Sequence, residues 1–200
     1  MKSAAQPREY RMTARAEAAA ATGERILDAA AELFWDQLTD QIRLEEVAAR
    51  AGVTVQTVIR RFGGREGLFA AAATREQGRV RQARAAVTPG DVSGAVANLV
   101  DHYEALGDRV LRMLAEENRV PAVRNVVEQG RRLHTQWCRA AFEPFLTGLT
   151  GVDLDRRLAQ LVAVCDVYTW KVLRRDCGLS RAQTATAITE MLAPFTKEVR

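Results

Sequence analysis

From residue 26 onward, Ile26, Leu27, Ala30, Leu33, Phe34 and Leu38 recur three and four positions apart, with Glu24, Asp28, Glu32 and Asp36 between them. That spacing puts the apolar groups on one face of a 3.6-residue helix and the acids on the other. It predicts a helix over about residues 23–39, with Thr22 as its N-cap. The apolar positions then come in shorter bursts. Residues 44–51 read as a short helix stopped by Gly52, a residue free to take the left-handed conformation that ends helices. Thr54 caps a third segment that reaches Phe62 and halts at Gly63-Gly64. A fourth runs from near Arg65 to about Ala86, where Thr88-Pro89-Gly90 breaks it.

Helical spacing continues beyond Pro89. Helices are expected over about 93–107 and 108–118, and from Pro121 to about 148 with a bend at Pro144. Asp153 caps the next, which extends to about Cys177, and Gly178 stops it. Ser180 opens the last, with Gln183 placed to complete a capping box. No segment alternates β-branched and polar residues for long enough to suggest a sheet, and there is no internal repeat. The expectation is an all-α chain of about nine helices. Residues 1–21 are rich in Ala and Arg without an apolar stripe and read as a mobile basic arm, with room for helix near its end. The domains are therefore expected at 1–21 (arm), 22–68 (three-helix head) and 69–200 (helical domain).

A composition of 48% hydrophobic and 27% charged residues is that of an ordinary folded domain. No apolar run reaches membrane-spanning length and the N-terminus lacks the hydrophobic region of a signal peptide, so a cytoplasmic protein without membrane contact is expected. Cys138, Cys165 and Cys177, 3 in number and without paired spacing, fit reduced thiols. The net charge of +4 permits a polyanionic partner without identifying one. Lysine occurs only at 2, 171 and 197. Basic charge is thus arginine, whose planar fork suits phosphate and guanine, although codon bias is the simpler explanation.

The stretch LEEVAARAGVTVQTVIRRF, residues 44–62, folds back on itself at Gly52. Val47 and Ala48 can face Val53 and Val58, and Leu33 and Phe34 of the first helix close the small core. This is a helix-turn-helix. The N-terminal face of its second helix carries Thr54, Val55, Gln56 and Thr57, short side chains able to reach base edges in a major groove. Gln56 suits adenine; Val55 and the Thr57 methyl suit the thymine methyl. Arg60, Arg61 and Arg65 follow, spaced to clamp phosphates. Residues 22–75 are not net basic, so local placement carries this reading.

GERILDAAAELFWDQ followed by LEEVAARAGVTVQTVIRRFGGREGLF resembles the N-terminal DNA-binding domain of the tetracycline-repressor (TetR) family, over about residues 22–70. YTWKVLRRDCGLSRAQTATAITEML, residues 168–192, is similar to the last two helices of many members. The resemblance implies an all-α homodimer whose last two helices form a four-helix interface. It also implies a small-molecule pocket in the C-terminal domain, and ligand binding that shifts the fourth helix and releases the operator. Three positions depart from the pattern. Ile59 stands where the family has a phosphate-contacting tyrosine, so either that contact is lost or Arg60 takes it over. Arg43 replaces a small hydroxyl cap and adds a phosphate contact. Gly64 replaces the usual Ser cap of the fourth helix.

In the C-terminal domain, His102, Tyr103, Met113, Trp137, Cys138, Phe142, Cys165, Tyr168 and Trp170 are candidates as a group to line an apolar cavity with a few polar anchors, although residue by residue such spacing is more often core packing. Leu161, Val164, Ile188, Met191 and Leu192 are candidates for the dimer interface. The expected function is a repressor that leaves a pseudo-palindromic double-stranded operator when a small, largely apolar effector binds. The alternative is a regulator of the same fold triggered by thiol oxidation. With 2 histidines, no Glu-x-x-His pair, no Cys-x-x-Cys, no phosphate loop and no Gly-x-Ser-x-Gly, neither an enzyme nor a metal or cofactor site is expected.

Overall fold

The structure, a computed structural model, describes residues 6–37 and 41–197. Regular structure among them is helical throughout: α1 (Gln6–Asp36), α2 (Leu44–Ala51), α3 (Val55–Phe62), α4 (Arg65–Arg84), α5 (Val92–Glu116), α6 (Pro121–Ala141), α7 (Gly151–Val164), α8 (Val167–Lys171) and α9 (Arg181–Leu192). Two short turns of other pitch accompany them, a 3-10 turn at Glu143–Phe145 and a π turn at Val172–Asp176. The chain divides into two compact units, Met1–Glu76 and Gln77–Arg200.

In the first unit Ile26, Ala30 and Leu33 of α1 close over Val47 and Ala48 of α2, Val58 of α3 and Leu68 of α4. Alanines at these crossings let the helix axes approach closely. Phe34 meets Phe69 edge-on, with ring centroids 4.7 Å apart. Leu68, Phe69 and Ala72 are buried with the first unit, so the opening turns of α4 belong to it and the unit extends past residue 68. Gly52 and Gly63 adopt the left-handed conformation expected of them, φ 66 and φ 77.

Two sequence expectations fail in α1. Its helix starts at Gln6, not after Thr22, so the segment expected as an arm is helical from that point. The run ARAEAAAA supplies strong helix formers and no breaker. Thr22 does not cap; its Oγ1 donates back to the Ala18 carbonyl at 2.8 Å, as a mid-helix threonine does. Leu38 and the expected helix end near 39 lie outside the described residues, as do residues 1–5.

The second unit is built on Trp170, which is fully buried. Its ring lies flat over Gly107, where any Cβ would collide with it. This close approach is why Gly107 does not end a helix: the two segments expected over 93–107 and 108–118 are one helix, α5. The Trp170 Nε1–H donates to Glu104 Oε1 at 3.2 Å, and Arg174 holds the same carboxylate at 2.8 Å. That arginine keeps the Glu104 carboxyl below its ordinary range, ahead of the opposing effect of partial burial. The helix expected from Pro121 to 148 ends at Ala141, and Pro144 sits in the 3-10 turn. The helix expected from Asp153 to Cys177 begins at Gly151 and breaks after Val164, because Asp166 takes an extended conformation and caps α8 through the Tyr168 N–H. Ser180 and Gln183 form both halves of the capping box that opens α9.

Candidate functional site

Two places in the molecule carry chemistry. The first is the outer face of α3. Thr54 is its N-cap, with φ −85 and ψ 152, and its Oγ1 accepts the Thr57 N–H at 3.2 Å. The two hydroxyls also pair, Oγ1 to Oγ1 at 2.9 Å, which fixes both side chains at the helix entrance. Val58 is completely buried beneath and seats the helix on the hydrocarbon core. Gln56 and Arg60 stand exposed, Thr57 is half-buried, and Ile59 is 39% exposed. Val55 is half-buried against the core, so it belongs as much to the packing as to the outer face.

The arginines are distributed around that helix. Arg61 is exposed, and its guanidinium lies across Gly23 of α1, where a Cβ would overlap it. The guanidinium carbon is also 6.0 Å from the Phe62 ring centroid. Arg43, the N-cap of α2, makes no side-chain capping bond. It lines an open cleft of about 620 Å³ with Gln41, Ile42, Leu44, Glu45 and Arg65. The cleft thus brings an arginine at the start of α2 beside another at the start of α4, each at a helix end rich in unpaired N–H groups.

The second place lies inside the C-terminal unit. Tyr103, Trp137, Cys138, Phe142, Cys165 and Trp170 are buried in its core. The Tyr103 hydroxyl donates to the Cys165 carbonyl at 3.1 Å, and burial pushes its ionisation well above the ordinary range. His102 is half-buried, its ring 5.2 Å from that of Tyr103. Burial, with Arg84 and His134 adding to it, pushes the His102 imidazole down to about 3. A hydrogen bond from Cys165 draws the Cys138 thiol down to about 6 against its burial, with His134 and Arg84 adding to the pull, and the same bond raises Cys165. Met113 is half-buried.

Two residues with no place among the sequence candidates complete this cluster. Arg84, in the last turn of α4, is only 8% exposed. His134 of α6 approaches it at 3.0 Å through Nδ1 and stacks on Trp137. The run His134-Thr-Gln-Trp137-Cys138 carried a signal, since three and four residues along a helix place these side chains together. Arg84 carried none, because RVRQAR reads as a solvated basic helix end.

Several candidates stand elsewhere than expected. Tyr168 is 54% exposed and lines no interior. Leu161, Ile188 and Leu192 are fully buried within the protomer and Val164 nearly so, which leaves them no surface to offer a partner. They form the protomer's own core because α5, α7 and α9 pack on one another, and a stripe at helical spacing does not reveal which neighbour it faces. Met191 is exposed at 41%, together with Tyr168 and with Val172 at 49%. Cys138 and Cys165 are fully buried and Cys177 is exposed. Among the described residues no helix is long and apolar enough to cross a membrane, and no cluster of metal-ligating side chains occurs.

Residues 26–72 match the family model of bacterial regulatory proteins, tetR family. No match was found among curated proteins. Several solved structures share the fold. A transcriptional regulator from Rhodococcus sp. Rha1 is 17% identical over 86% of this chain and 95% of its own, with a TM-score of 0.65. A TetR-family regulator from Streptomyces coelicolor A3 is 20% identical over 88% of this chain and 95% of its own, with a TM-score of 0.53. The transcriptional regulator FadR from Bacillus subtilis, solved with stearoyl-CoA, is 15% identical over 88% of this chain and 99% of its own, with a TM-score of 0.56.

Proposed function

We propose, from the premise that the N-terminal domain of this chain belongs to the tetR family of bacterial regulatory proteins, that the protein is a homodimeric repressor released from a pseudo-palindromic operator by a small organic effector. The observation that carries this reading is the outer face of α3. Gln56 projects into solvent from a helix whose inner side is pinned by fully buried Val58. Such a helix enters a major groove without repacking its own domain.

The roles divide by chemistry. Gln56 reads adenine through its amide, and the Thr57 methyl meets thymine. Val55 contributes only the part of its surface that packing leaves free. Arg60 replaces the phosphate contact that Ile59 cannot make. Arg43 and Arg65, sharing one cleft, grip a backbone phosphate between the two helix starts. Arg61, held against Gly23, clamps from the α1 side. Thr54 positions the helix and is a minor contact. Exposed Tyr168, Val172 and Met191 supply the apolar part of the dimer surface.

The effector enters the C-terminal unit. The FadR relative was solved with an acyl-CoA, and the buried aromatic and polar groups here suit a ligand with an apolar body and a polar head. Selection of bound duplexes from a random pool tests the whole reading. The expected result is an inverted repeat with half-site centres roughly one helical turn, about 34–36 Å, apart. Its affinity should fall steeply with salt. Recovery of no preferred sequence, or of a single unrepeated site, would overturn it.

A further inference from the structure

Ion pairs among the described residues of the C-terminal unit place an arginine or lysine on a carboxylate: Arg131 on Glu117, Arg174 on Glu104, Arg175 on Asp108. Arg84, among the most deeply buried charged residues, has no such carboxylate among them. Its charge is met by a His134 nitrogen at 3.0 Å, by the Tyr103 hydroxyl and by the face of Trp137, whose centroid is 4.7 Å from the guanidinium carbon. Its Nε–H is buried with no hydrogen-bond partner, and so is the indole Nε1–H of Trp137 beside it. A buried guanidinium without a paired carboxylate is costly, and each orphaned N–H adds to that cost.

We propose that Arg84 and Trp137 form the head-group anchor for an organic carboxylate, the partner that Arg84 lacks among the described residues. The assignment rests on the reading that an effector binds in the C-terminal unit, and it names the chemical class of that effector. One carboxylate oxygen takes the Arg84 Nε–H in a charge-assisted hydrogen bond, and the other is offered to the Trp137 Nε1–H. His134 accepts from Arg84 at Nδ1, which holds the guanidinium in place beside the anion. The apolar body lies among the hydrocarbon side chains around Trp137 and Phe142, whose rings meet at 6.3 Å. A neutral ligand of the same shape leaves the cation uncompensated. His102, neutral through most of the pH range, adds no competing charge.

The test uses the full-length protein and matched acid and amide pairs: benzoate with benzamide, and decanoate with decanamide. Binding is followed by calorimetry and by displacement of operator DNA. The wild type should bind at least one acid about tenfold or more tightly than its amide. In Arg84→Met the ratio should collapse to about one while operator binding persists; Arg84→Lys should retain part of it. Without any ligand, Arg84→Met should leave Tm unchanged or raise it by about 2–4 °C, because it removes a buried charge that has no paired carboxylate. No acid outbinding its amide, a preference that survives in Arg84→Met, or a large fall in Tm of that variant would each overturn the proposal. Release of operator equally by acids and amides would sink the carboxylate assignment alone. A wild type that binds no operator sinks the regulatory reading and leaves the carboxylate result standing.

Discussion

The two units solve the problem of burial in opposite ways. Among the described residues, the buried side chains of the N-terminal unit are hydrocarbon, from Ile26 to Ala72, and its most enclosed charge, Arg75, is held at the edge by the carboxylates of Glu24 and Asp28. The C-terminal unit buries Arg84, Glu116 and Thr184 and adds two half-buried histidines, a buried tyrosine and two buried thiols. A duplex-reading helix needs only a stiff wedge behind it, and hydrocarbon packing supplies that at no electrostatic cost. A core that holds polar groups gives up stability and gains places where a ligand or a proton changes the balance. The first unit is built to hold one shape, the second to respond.

The comparison is most sharply broken at Trp170, which ties α8 to Gly107 and Glu104 of α5. Trp170→Ala should cost about 3–5 kcal/mol in urea denaturation, the loss typical of deleting a buried indole. If the loss stays below about 1 kcal/mol, the ring is not the keystone of that core.

Protons give the next largest effect. His102 titrates near 6.5 in the unfolded chain and near 3 in the folded one. Between those values the unfolded state binds more protons, so the stabilising contribution is complete above pH 6.5 and declines as pH falls through the window. The slope approaches roughly 1.4 kcal/mol per pH unit. His102→Asn should flatten that part of the curve, and thermal melts from pH 7 to pH 4 measure it. The N-terminal unit has no histidine to add to this slope.

On the reading side, Gln56→Ala should leave stability unchanged, because the side chain is exposed. It should weaken discrimination at one base pair per half-site by about 1–3 kcal/mol. Competition with duplexes altered at single positions reads this out. Uniform weakening at all positions would move Gln56 from base contact to backbone contact.

How far the sequence disclosed these units follows from the same contrast. The helix-turn-helix was legible almost to the residue, since Gly52, Thr54 and Gly63 are local signals that tertiary packing does not override. The start of α1 was misread because a threonine cap competed with an alanine-rich run, and the run prevailed. In the C-terminal unit the periodicity marked which residues were apolar but not what they faced. Leu161, Ile188 and Leu192 therefore looked available to a partner although they fill the protomer. Arg84 was invisible for a related reason. Nothing local distinguishes a buried arginine from a solvated one, and only long-range contact with His134 and Trp137 brings it inside.

The smallest expected effect separates folding from function at a single position. Arg43 already has the extended N-cap geometry, φ −105 and ψ 143, but its side chain caps nothing. Arg43→Ser should fit without backbone change and accept the Glu46 N–H, now bonded to the residue's own carbonyl at 3.2 Å. The reciprocal half of a capping box is already engaged, because Glu46 Oε1 accepts from Gln37 Nε2 at 2.8 Å. The gain is therefore that of a simple cap, roughly 0.5–1 kcal/mol in denaturation. Operator affinity should move the other way. The slope of log affinity against log salt should shrink by about 0.9, as it does when one fewer phosphate is neutralised. A variant that is both more stable and an equally good binder would mean that Arg43 touches no phosphate. The arginine at the start of α2 would then be a weak cap and nothing more.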